Sequence, residues 1–75
     1  MNFRRLRERA GLTQYRLAQL SGVEQTTISQ LELGKVRDPR WSTISALAVV
    51  LNATPGTVAR AIEQTATRER KKVVA

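Results

Sequence analysis

Apolar residues return every three or four positions through most of this chain. Ile44, Leu47, Ala48 and Leu51 recur at i, i+3, i+4 and i+7, the stripe of one helix face. Leu17 and Ala18, then Val23, Ile28 and Leu31, continue the same rhythm upstream. No segment alternates as a half-buried strand would; Val49 and Val50 are β-branched but lie inside a helical pattern. Gly11, Gly22, Gly34, Pro39 and Pro55 punctuate the pattern. Five helices are predicted, at about 3–10, 14–20, 24–33, from 42 or 43 to 52, and 55–65. Thr13 is the expected N-cap of the second. Ser42 or Thr43 starts the fourth, and Thr54 with Pro55 opens the fifth. The expected core packs Ile44, Leu47, Leu51, Val58 and Ile62 under Leu6, Leu17, Ile28 and Leu31. The fold class is therefore all-α, with a domain over 1–65 and a basic C-terminal tail over 66–75 that either extends the last helix or is disordered.

The third helix departs from an ordinary surface helix. Its outward positions are Gln25, Thr26, Ser29 and Gln30, where solvent-facing helices normally carry Lys and Glu. Short amides and hydroxyls suit the base edges of a major groove. Charge strengthens this picture. The chain carries thirteen Lys and Arg against six acids, a net charge of +7, and ten of the thirteen are Arg. Arginine makes bidentate contacts with phosphate and guanine, so a polyanionic partner is implied. An anionic membrane would need a helix with a large exposed apolar face, and none is evident. The longest nearly apolar run, 44–51, is too short to span a bilayer. The N-terminus has no apolar stretch of the signal-peptide kind, so a cytoplasmic, nucleoid-associated location is expected. With no Cys, no His and six scattered acids, no nucleophile, general base or metal cluster can be assembled. Neither an enzyme nor a cofactor is expected.

Residues 13–34, TQYRLAQLSGVEQTTISQLELG, resemble the helix-turn-helix of Xre-like regulators, the Cro and phage-repressor type. Leu17 and Ala18 stand at the paired apolar positions of the first motif helix, Gly22 at the turn, and Ile28 and Leu31 on the buried face of the second. Gly11-Leu12-Thr13-Gln14 and the run from Leu31 to Lys35 match the flanks, and the resemblance covers about 3–62. It implies a five-helix, lambda-repressor-like DNA-binding domain.

Site residues follow from that resemblance, position by position. Gln25, Thr26, Ser29 and Gln30 would contact bases. Gln14 would face a phosphate at the start of the second helix, and Thr27 a phosphate beside the groove. Lys35, Arg37 and Arg40 would follow the sugar-phosphate backbone, with Arg40 near the minor groove. Arg7 and Glu32 would form a structural salt bridge. Each polar residue also has the plainer reading of a solvated surface group. That reading is stronger for Arg4, Arg5 and Arg9, and stronger still for Arg68, Arg70, Lys71 and Lys72. Trp41 is expected in the core rather than as a base-stacking ring. Leu20 and Leu33 depart from the usual polar residues. Glu24 departs too, either accepting from a cytosine amino group or merely capping the helix.

The function implied is sequence-specific binding of double-stranded DNA by a transcriptional regulator, a repressor by preference. The operator would be palindromic, bound by a weak homodimer through 52–57 with Val58, Ala61 and Ile62. Alternatives are the DNA-binding antitoxin of a toxin–antitoxin pair, with a toxin as protein partner, a restriction–modification controller, or a protein-interaction module that keeps the fold without binding DNA.

Overall fold

A computed structural model describes the backbone of residues 1–74 and the side chains of residues 1–67. Five helices follow in order: α1 (Phe3–Arg9), α2 (Gln14–Ser21), α3 (Gln25–Glu32), α4 (Trp41–Leu51) and α5 (Pro55–Val74). The architecture is all-α, with no strand among the described residues.

Local chemistry sets most of the boundaries. Asn2 caps α1 by accepting from the Arg5 N–H at 2.8 Å, and Thr13 caps α2 by accepting from the Arg16 N–H at 3.0 Å. Thr54 does the same for α5 through the Thr57 N–H at 3.1 Å, with Pro55 in the first helical position. The turn between α2 and α3 depends on Gly22, which takes φ 77° as the C-cap of α2. A Cβ there would touch nothing within 4 Å, so the glycine answers a backbone requirement rather than a packing one. Ser21 staples the same turn: its hydroxyl donates to the Leu17 carbonyl at 2.7 Å and accepts from the Val23 N–H at 3.1 Å. The fourth helix begins at Trp41 with Arg40 as N-cap, earlier than the Ser42 or Thr43 start expected from the sequence.

The core gathers one stripe from every helix: Phe3 and Leu6, Leu17, Ile28 and Leu31, then Ile44, Leu47, Ala48 and Leu51, and finally Val58, Ala61 and Ile62. Phe3 is fully buried, on the same helix face as Leu6 three residues on, although it is not among the core residues expected from the sequence. Its N–H donates to the buried Thr65 hydroxyl at 3.1 Å, and that hydroxyl donates to the Ala61 carbonyl at 2.9 Å. The Met1 ammonium reaches Gln64 Oε1 at 2.9 Å. The start of the chain is thus sewn to α5 across more than sixty residues of sequence. Packing continues through the buried Ala66, and α5 runs on to Val74. The side chains of Arg68, Arg70, Lys71 and Lys72 lie outside the described residues.

Trp41 corrects an expectation: it is 66% exposed rather than part of the core. The buried stripe of α4 begins at Ile44, one turn further in. The ring hangs from the first helical residue, beyond the edge of the packed interior. Among the described residues, no single helix is long and apolar enough to cross a membrane.

Leu47 is fully buried, so Leu47→Ala should destabilise the domain by about 2–5 kcal/mol, a large part of the stability of so small a fold. Urea denaturation followed by circular dichroism would measure the loss.

Candidate nucleic-acid interface

The candidate interface is built around α3, an eight-residue helix. Ile28 and Leu31 are completely buried and point its inner face at the core. A step of about 100° per residue then turns Thr26, Ser29 and Gln30 to the opposite side, with Gln25 on one flank. Gln25, Thr26 and Gln30 are exposed, while Ser29 and Thr27 are half-buried. Four short donors and acceptors therefore share one outward surface with neither a lysine nor an acid among them.

The ends of α3 are built differently from each other. Glu24 is its N-cap, yet the Glu24 side chain makes no capping hydrogen bond. The α4 N-cap, Arg40, makes none either. Both helices thus begin without the side-chain cap that closes α1, α2 and α5. A cleft of about 320 Å³ separates the α2–α3 turn from the first turn of α4; Glu24, Thr27, Ser42 and Thr43 line it. At its other end α3 closes tightly. The Lys35 N–H bonds the Gln30 carbonyl at 3.0 Å, and Gly34 takes φ 75°. The chain then leaves through a loop on which Lys35, Arg37 and Arg40 are all exposed, with Asp38 as the one acid among them. Leu33 is 54% exposed at the α3 C-cap.

A single carboxylate ties this surface to the rest of the fold. Arg7 on α1 makes a bidentate pair with Glu32, from Nε to Oε2 at 2.5 Å and from Nη2 to Oε1 at 3.2 Å. The third guanidinium nitrogen donates to the Leu12 carbonyl at 2.8 Å. Both side chains are largely buried, at 12% and 7% exposed. The hydrogen bond to Glu32 and its charge raise the Arg7 pKa above the ordinary arginine value, against the opposing effect of burial. A cation with a raised pKa contributes stability that is fully present below its unfolded pKa. Here that spans the whole working range, so Arg7 does not release the pair on alkaline titration.

Gln14 joins the same centre. It is half-buried as the first residue of α2, and its Nε2 donates to Glu32 Oε1 at 3.1 Å. One amide hydrogen is therefore engaged inward, leaving the other hydrogen and the oxygen. Sequence reasoning treated Gln14 as turned wholly outward and did not foresee this bond. Further along α2, Gln19 donates to the Tyr15 hydroxyl at 2.9 Å and accepts from Arg16 at 3.2 Å, a polar chain on an exposed face. The i, i+4 spacing of Tyr15 and Gln19 was its only sequence signal.

A family model for a helix-turn-helix domain matches residues 2–61. The chain belongs to that helix-turn-helix family. The match spans α1 to α4 and the first part of α5, including the whole α2–turn–α3 unit. No individual curated protein and no solved structure matches the chain significantly. Membership of a family built on this motif, with an all-helical fold of the Xre-like kind, points to DNA binding in a regulatory role.

Arg7→Met leaves Glu32 buried without its cation. It should cost toward the lower end of about 3–5 kcal/mol, because both groups keep some access to water. The double variant Arg7→Met with Glu32→Leu should recover most of that loss in thermal denaturation.

Proposed function

We propose that this domain binds double-stranded DNA sequence-specifically and regulates transcription, acting as a repressor by occupying an operator. The observation that carries this reading is the outward face of α3. Gln25, Thr26, Ser29 and Gln30 stand on a helix fixed from behind by Ile28, Leu31 and Glu32. Glutamine pairs bidentately with adenine N6 and N7, and a threonine methyl meets a thymine methyl. In this reading α3 lies in the major groove. Thr27, the remaining amide hydrogen of Gln14, and Lys35, Arg37 and Arg40 hold the sugar-phosphate backbone, which fixes register without reading sequence. Arg40, exposed at the start of α4, is the residue that approaches the minor groove. No step of chemistry is required: the bound domain excludes polymerase from the site. The working unit is residues 1–65, with the basic segment 66–75 adding charge, and the location is cytoplasmic, on the nucleoid.

One α3 reads too few base pairs for specificity in a genome, and two half-sites a helical turn apart solve this in dimeric relatives of the motif. The surface proposed for dimerisation is 52–57. Val58, Ala61 and Ile62 are taken up in the domain's own core. What is exposed there is Asn52, Thr54, Gly56 and Thr57, small and polar. A surface of that composition supports a weak dimer that assembles on DNA rather than a tight one in solution.

Gln25→Ala should lose about 1–3 kcal/mol at the cognate site and little on random duplex, whereas Arg40→Ala should weaken both and lower the salt slope by about one phosphate. Fluorescence anisotropy at two salt concentrations measures all four values. Equal weakening of both duplexes by both variants would refute the recognition-helix assignment. Absence of binding to any duplex would favour a protein-interaction module. In sedimentation, the free protein should run as a monomer at micromolar concentration and as two copies per operator in the complex. A tight free dimer or a one-to-one complex would overturn the dimer proposal.

A further inference from the structure

Glu24 is the residue that the recognition surface leaves unexplained. It stands at the leading end of α3, exposed, with φ −60° and ψ 140°. A carboxylate in that position ordinarily accepts from an N–H two or three residues on, and this one does not. Among the described residues it has no ion-pair or side-chain hydrogen-bond partner. The cleft beside it is lined by the hydroxyl residues Ser21, Thr27, Ser42 and Thr43 and by no cation. The dipole of α3 tolerates a negative charge here, but neither a cap nor a salt bridge gives the carboxylate a donor.

Its neighbour in sequence is Gln25, so whatever α3 approaches, Glu24 meets early. Against a phosphate-lined groove a bare carboxylate is repelled, and stripping it of water is costly unless it finds a donor. The donors on the major-groove floor are the exocyclic amino groups of cytosine and adenine. In an A·T pair the adenine amino group lies between two acceptors, N7 and the thymine O4. In a G·C pair the cytosine amino group has an acceptor on one side only. An ionised carboxylate is acceptor-only and therefore favours cytosine.

Resting on the reading of α3 as a recognition helix, we propose that Glu24 is a specificity-determining residue. Its carboxylate accepts from the N4 amino group of a cytosine in each half-site. At any other base it remains an unpaired anion among phosphates, which penalises non-cognate DNA. Attraction and rejection then come from one side chain.

The test is selection from a random duplex pool by the wild-type chain, by Glu24→Gln and by Glu24→Ala. Anisotropy titrations on the wild-type cognate duplex and on random duplex accompany it. The wild type should enrich a cytosine at one position of each half-site. Glu24→Gln should shift that position toward adenine, and Glu24→Ala should erase the preference there, with the other positions unchanged. In Glu24→Ala the ratio of cognate to random affinity should fall about tenfold, chiefly because random duplex binds more tightly. The same base preferences in all three proteins, or an unchanged ratio, would overturn the proposal while leaving the recognition helix intact. If the wild type enriched no sequence at all, the recognition-helix reading would fall and this proposal with it.

Discussion

An isolated helix of eight residues is not stable in water, and α3 has exactly that length with two threonines, a serine and no side-chain cap. Its existence is a tertiary fact. Two wholly buried side chains, Ile28 and Leu31, hold it against the core, and Glu32 holds its C-terminal end to Arg7 on α1. The same carboxylate reaches Gln14, and the same guanidinium reaches the Leu12 carbonyl. Four parts of the chain thus meet at one ion pair: α1, the α1–α2 connection, the start of α2 and the end of α3. The angle at which α3 is presented is set there. A hydrophobic pair could match the stability of this contact, but it would not define the direction of four hydrogen bonds.

This arrangement lets α3 form without strong helix formers on its outward face. Thr26, Thr27 and Ser29 are poor helix formers, tolerable because the inner face and the ion pair supply what they do not. The cationic loop after α3 is held differently: Gly34 and the Lys35–Gln30 backbone bond fix where it leaves the helix, while its charges stay exposed.

Much of the fold was legible because its core obeys a helical period. The row Ile44, Leu47, Ala48 and Leu51 is buried as its spacing implies, and Thr13, Thr54 and Gly22 mark their boundaries by local chemistry alone. The two aromatic residues at helix starts were not legible. Phe3 and Trp41 each open a helix, yet one is wholly buried and the other two-thirds exposed. Each stands three residues before a buried residue, Leu6 and Ile44, so period marks both alike; at the first residue of a helix the surroundings depend on what another element brings. For Phe3 that element is α5, through Thr65, far away in sequence. In the candidate site the polar face of α3 could be read from residue type and spacing. The inward bond of Gln14 could not, because it depends on where Glu32 arrives from a different helix. The open N-cap at Glu24 was undecided for a related reason: glutamate can cap or not, and only the side-chain conformation decides.

The stitching of the N-terminal segment to α5 bears on how the chain folds. Phe3 and Leu6 share their core with Val58, Ala61, Ile62 and the Phe3-bonded Thr65, more than fifty residues further along the chain. Without those residues the apolar face of α1 has an incomplete pocket. Closing a loop this long costs entropy that local helix contacts cannot offset in advance. The packing of α1 and of α5 is therefore mutually dependent, because each supplies a wall of the core that the other lacks.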